Sequence, residues 1–110
     1  MVDLSFLERF TKGKRQKFER YIRMYLELAP ESYQEMESGL SERDHKKVAN
    51  QAHGLRPQAT FMGIAGLDEV LLSIETDAKA GADWDRLEPQ LQHARQLHEA
   101  AIPSLQAALE

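Results

Sequence analysis

Apolar residues in this chain return every three or four positions along almost its whole length. That spacing matches the 3.6-residue turn of an α-helix and leaves few other folds open. Strand signals are missing: there are no alternating β-branched runs and no Asn-Gly or Asp-Gly hairpin pairs. Glycine, proline and capping residues then divide the periodic sequence into segments.

A short first helix is expected from about Leu4 to Phe10, with Phe6, Leu7 and Phe10 on its apolar side. Asp3 or Ser5 would cap it, and Ser5 with Glu8 has the form of a capping box. A second helix opens near Lys14 and carries Phe18, Ile22, Tyr25, Ala29, Tyr33, Met36 and Leu40. This stripe keeps its phase across Pro30, which predicts one long helix with a bend at the proline. Gly39 is read as its left-handed end, with Leu40 packing back.

Ser41 and Asp44 open a third helix with another capping-box pattern. Its stripe is Val48, Ala52, Leu55, Ala59 and Met62, followed by Gly63 and Gly66. A fourth helix carries Leu67, Val70, Leu71, Ile74 and Ala78 and ends at Gly81. Asp83 to Glu88 reads as a short connection in which Trp84 covers one end of the molecule. Pro89 then suits the first turn of a last helix carrying Leu91, Ala94, Leu97, Ala101, Leu105 and Ala108. Short connections make successive helices antiparallel. The expectation is an all-α, up-down-up-down antiparallel four-helix bundle with a short N-terminal helix, one domain over residues 1–110.

Composition narrows the function. The chain has no cysteine, which excludes disulfides, thiol catalysis and thiolate zinc sites. A formal net charge of -4 argues against a nucleic-acid partner. No apolar run approaches the roughly 18 residues a membrane span needs. Met1 to Lys14 has early acids and only a short apolar patch, unlike a signal peptide, so a free-standing cytoplasmic protein is expected. All six glycines are isolated, so there is no Gly-rich phosphate loop and no readable nucleotide pocket or kinase activity. Paired Glu-x-x-His motifs would mark a metal–carboxylate bundle, but only Glu42 to His45 has that form. His93 and His98 are five apart, share no helix face and read as surface or boundary residues, so no metal site is expected. Lys12-Gly13-Lys14-Arg15 reads as a solvated helix terminus.

One stretch departs from ordinary bundle sequence: Ala52-His53-Gly54-Leu55-Arg56-Pro57, running on to Thr60, Phe61, Met62 and Gly63. At about 100° per residue, His53 lies roughly 145° from the centre of the buried stripe and faces solvent. Lys46, Asn50, Pro57 and Thr60 share its outward side, and Arg56 sits one turn on at the flank. No carboxylate stands in that row, so the expectation is an exposed imidazole beside a guanidinium. An exposed imidazole has an ordinary pKa of about 6.5 and is in good part a neutral nucleophile at pH 7. A phosphoryl group on it would bring about two negative charges, which Arg56 could neutralise. A surface histidine beside an arginine is commonplace. Gly54 and Pro57 carry more weight, because they cost a helix roughly 1 and 3 kcal/mol. Proline also lacks the N–H that would bond the carbonyl of His53. The stripe passes Pro57 in phase, which predicts a kinked helix and not a helix end. Phe61 points about 135° from the core direction. It is either part of an apolar docking patch or covered by the N-terminal helix.

The chain resembles the histidine phosphotransfer (HPt) domains of two-component phosphorelays. Those domains carry His-x-Leu-Lys-Gly on one helix of a four-helix bundle, with a glycine several residues later. Here the run is His53-Gly54-Leu55-Arg56-Pro57 with Gly63, and Ala52 and Leu67 also fit. The likeness covers the whole chain. It implies that His53 is the phosphoacceptor and that Arg56 replaces the lysine that steadies the phosphoryl group. Pro57 departs from the family's glycine, and Thr60 falls where a small residue is expected and can reach the phosphoryl group. Lys46, Asn50, Gly54, Pro57, Thr60 and Phe61 would meet the partner. The resemblance further implies a phosphoryl carrier relaying between receiver-domain aspartates. Its partners would be response-regulator receiver domains and a hybrid sensor histidine kinase. No cofactor is implied on this chain, since the magnesium ion belongs to the receiver, and the protein would act as a monomer. The alternative is a non-phosphorylated four-helix interaction module that binds a signalling partner.

Overall fold

A 28-residue helix sets the long dimension of the molecule. At about 1.5 Å per residue it spans roughly 42 Å, and the protein measures 43 × 21 × 19 Å. The computed structural model describes all 110 residues as five helices: α1 (Ser5–Phe10), α2 (Arg15–Glu42), α3 (His45–Met62), α4 (Leu67–Lys79) and α5 (Trp84–Ala107). Helix α2 packs on α3 and α5, and α4 packs on α3 and α5, which closes a four-membered ring. Cross-helix pairs show the antiparallel order. Tyr21 meets Phe61 and Glu35 meets Lys47 between α2 and α3, and Tyr25 meets His98 and Tyr33 meets Ala94 between α2 and α5. The expected all-α four-helix bundle with a short N-terminal helix is the observed architecture.

The apolar stripes explain the packing. Twenty-three buried apolar residues form one core, in which Ile22, Tyr25, Met36, Leu55, Met62, Leu71, Ile74 and Leu105 are among the largest. Both interior prolines predicted to lie within continuing helices do so: α2 runs on through Pro30 and α3 through Pro57. Phe6 and Phe10 of the first apolar side stay about half exposed, and only Leu7 is fully buried.

Several boundaries differ from the sequence reading. Gly39 does not end α2. It lies buried inside the helix, and the left-handed residue is Arg43 at φ 57°. The amide of Asp44 donates to the Gly39 carbonyl at 2.8 Å, closing the turn. A Cβ on Gly39 would stand 2.7 Å from Val48 Cγ2, so the glycine serves the close approach of α3. Ser41 therefore belongs to α2, and Asp44 alone caps α3, its Oδ1 accepting from the Lys47 amide at 3.0 Å. At α1 the carboxylate of Asp3 accepts the Ser5 amide at 2.9 Å, in place of the Ser5–Glu8 box. Helix α5 begins at Trp84, five residues before Pro89. Trp84 stacks on His45 with centroids 3.9 Å apart, and His45 Nε2 donates to the Ala82 carbonyl at 2.8 Å. This contact fastens the α2–α3 and α4–α5 connections together at one end.

The other end is tied by the chain's first residues. Asp3 N–H donates to the Gly63 carbonyl at 2.9 Å, and Val2 bridges Ile64. Gly63 sits at φ +60°, and a Cβ there would lie 1.8 Å from the Asp3 carbonyl oxygen. Gly63→Ala is therefore expected to destabilise the fold by about 1–3 kcal/mol. It should also release the Asp3 amide, which hydrogen exchange would read as lost protection.

His98 is a second correction. It is buried, not peripheral: its Nδ1 lies 2.8 Å from the Tyr25 hydroxyl, and its ring packs on Tyr33. Burial pushes the Tyr25 hydroxyl pKa up, so the hydroxyl keeps its proton and donates to a neutral imidazole. Burial likewise pushes the His98 pKa down, while nearby Glu99 pulls it up and Arg95 down. A histidine with a depressed native pKa gives stability that is complete above its unfolded value near 6.5. That stability is lost as pH falls below it, because the unfolded chain takes the proton first. The melting temperature is expected to fall between pH 7 and pH 5, and the slope should flatten in His98→Asn.

Candidate functional site

The buried stripe of α3 decides where its histidine points. Ala52, Leu55, Ala59 and Met62 are all buried, so His53 faces outward with its side chain 71% exposed. Gly54 beside it has open space around the position of a Cβ. Helix α4 does the same for a carboxylate. Leu67, Leu71, Ile74 and Ala78 turn into the core, and Glu75, next to Ile74, is left at the seam with α3 with its side chain only 7% exposed.

The two meet. His53 Nδ1 and Glu75 Oε2 are 2.9 Å apart. A carboxylate can only accept, so Nδ1 carries the proton and Nε2 is left free toward solvent. The same Oε2 accepts from Lys79 Nζ at 2.8 Å, one turn along α4. Lys79 is the main cause of a Glu75 pKa below the ordinary carboxylate range; burial works against it and His53 adds to it. Oε1 of Glu75 is buried without a hydrogen bond, and Arg56 Nη1 lies 3.6 Å from it. Sequence reasoning missed Glu75, because the row of α3 holds no carboxylate and the acid arrives from another helix.

Arg56 approaches the same carboxylate as the imidazole and is already engaged. Its Nε donates to Asp68 Oδ1 at 3.2 Å, and this bond is the main cause of a raised guanidinium pKa. Asp68 also receives the Thr60 hydroxyl at 3.3 Å, and that hydroxyl lies 3.1 Å from the Arg56 carbonyl. Thr60 thus serves the Arg56–Asp68 pair in the resting protein. Lys46, Asn50, Gly54, Pro57 and Thr60 are exposed on the His53 side. Phe61 is only partly buried and takes the second of its two expected fates. Phe6, Phe10 and Tyr21 surround it, with ring centroids 5.5, 5.0 and 5.3 Å away. Phe6 and Phe10 carry the exposed aromatic surface instead. No three His, Asp or Glu side chains are grouped to hold a metal ion. No helix is long and apolar enough to cross a membrane.

Comparison with curated proteins and with solved structures gave no match. A family model described as the Hpt domain matches residues 20–109, which takes in α3, α4, α5 and all of α2 but its first five residues. Hpt domains are helical bundles with a phosphotransfer role in two-component signalling, and they interact with receiver domains and kinases. With its helical bundle and the match along most of its length, this chain belongs to the Hpt domain family, the histidine phosphotransfer domains of two-component signalling.

Proposed function

We propose that the chain relays a phosphoryl group between receiver-domain aspartates through phosphohistidine at His53. The observation that carries this reading is the oriented imidazole: a 71% exposed ring whose Nδ1 is held at 2.9 Å by a buried carboxylate. A partner receiver brings its aspartyl phosphate to the outward face of α3. The lone pair of Nε2 attacks phosphorus in line. The Nε2–P bond forms as the acyl O–P bond breaks, and the bonding electrons leave on the receiver's carboxylate. The proton stays on Nδ1. The ring then carries positive charge, and the Glu75 carboxylate beside Nδ1 stabilises it as it develops. The reverse sequence delivers the group to a second receiver, with the imidazole leaving as a neutral ring.

The remaining groups bind and admit. Arg56 is the cation for the phosphoryl oxygens. Gly54 keeps the surface beside the ring bare, and Lys46, Asn50, Pro57 and Thr60 border the approach. Antiparallel pairing of Tyr21 with Phe61 and Glu35 with Lys47 sets Met24 and Leu28 level with the Gly54–Pro57 stretch. Both are exposed, as are Phe6 and Phe10 above Phe61. These exposed apolar side chains of α1 and α2 suit a docking receiver. The magnesium ion and acidic pocket of such a transfer would belong to the receiver. Incubation with phosphorylated cognate receivers tests the reading. The expected product is an acid-labile, base-stable phosphate that maps to His53. Absence of transfer from every cognate receiver overturns it.

A further inference from the structure

Charge around His53 is balanced before any phosphoryl group arrives. Glu75 is held by Lys79, and Asp68 is held by Arg56. A phosphoryl group adds about two negative charges and finds Lys79 and Arg56, the two cations at the imidazole's carboxylate, already paired, while Lys46, two turns back along α3, is exposed and forms no ion pair. Arg56 is the one that can move to it. It faces two carboxylates but hydrogen-bonds only Asp68, while the buried Glu75 Oε1 stays unpartnered 3.6 Å from Nη1. The guanidinium therefore sits closer to Asp68, at 3.2 Å, than to the imidazole's carboxylate, at 3.6 Å. Asp68 Oδ1 also lies 3.3 Å from the Thr60 hydroxyl, whose single proton it shares with the Arg56 carbonyl at 3.1 Å. Its neighbour Glu69 lies in the same first turn of α4, is exposed and forms no ion pair, so helix-end electrostatics alone do not account for the Asp68 contacts.

We propose that Asp68 is a positioning residue that competes with the phosphoryl group for Arg56, through the Arg56–Asp68 pair and its Thr60 tie, and so restrains accumulation of phosphohistidine. The inference rests on His53 as the phosphoacceptor. When the group lands on Nε2, Arg56 exchanges Asp68 for phosphoryl oxygens, and the freed carboxylate is left without its cation. The phosphorylated state bears that cost, and the equilibrium leans toward passing the group on.

The test is the equilibrium ratio of phosphohistidine to receiver phosphoaspartate, measured with one cognate receiver at fixed concentrations. Asp68→Asn is expected to raise the ratio about threefold to tenfold. Thr60→Val should raise it less, Asp68→Glu should stay near wild type, and Glu69→Gln should leave it unchanged. In an Arg56→Gln background, Asp68→Asn should have no effect, because the competition needs the guanidinium. An unchanged or lower ratio for Asp68→Asn overturns the inference. So does an equal rise in Glu69→Gln, or a rise that persists without Arg56. Wild-type protein that transfers normally beside an unmoved Asp68→Asn sinks this inference alone. Wild-type protein that takes no phosphate on His53 overturns the parent reading with it.

Discussion

Replacing His53 with glutamine is expected to abolish phosphate uptake while leaving the bundle folded. The nucleophile is a ring nitrogen, and a carboxamide offers none, so loss should be complete within detection. Stability should change little, by under about 0.5 kcal/mol, as for most exposed substitutions. The side chain is 71% exposed and contributes no buried apolar surface. Its one side-chain hydrogen bond is to Glu75, and glutamine retains an N–H donor for that carboxylate. Lys79 also continues to neutralise Glu75 at 2.8 Å. Receiver-to-protein transfer and a thermal melt on the same preparation check both halves. Phosphate on the variant would mean that another residue accepts the group.

Replacing Glu75 with glutamine is expected to slow transfer about 10- to 100-fold, as for other groups that orient and polarise a catalytic imidazole. Two effects add. A carboxylate accepts from Nδ1 and fixes the tautomer, whereas a carboxamide can donate as well as accept and fixes neither. The carboxylate also sits beside the ring as positive charge develops, in a seam where its side chain is 7% exposed and screening is weak. Single-turnover transfer from a phosphorylated receiver measures the rate. A wild-type rate would reduce Glu75 to a packing and ion-pair role. Acid titration gives an independent readout. The Glu75 pKa is depressed, chiefly by Lys79. Its stabilisation is therefore complete above the ordinary carboxylate range and lost as pH falls through it. Glu75→Gln should remove that part of the acid dependence.

These two expectations differ in where they come from. His53 was legible in the sequence, because the phase of Val48, Ala52, Leu55, Ala59 and Met62 fixes the direction of every other side chain on the same rigid helix. Glu75 was not. The sequence could show that it borders the stripe of Leu71, Ile74 and Ala78, but not which residue of another helix it would face. His98 is an instructive miss of another kind. Leu91, Ala94, His98, Ala101 and Leu105 step by 3, 4, 3 and 4, so the helical period fits His98 as well as the neighbouring Leu97 that the stripe was given, and the apolar residue was preferred. Tyr25 gives the buried ring its hydrogen bond. Gly39 was misread for a related reason. A glycine near a helix end suits a left-handed cap, but the tighter demand was the approach of Val48 from α3.

By itself the sequence determined the helices, their antiparallel order, the buried faces and the outward histidine, because each follows from local periodicity and short connections. Only the tertiary structure decided what stands beside that histidine. The crossing of α3 and α4 brings Glu75 to Nδ1 and Asp68 to Arg56 over separations of 22 and 12 residues. Contacts between helices depend on relative shift and rotation, which periodicity within each helix leaves free and which the jointly packed core alone sets.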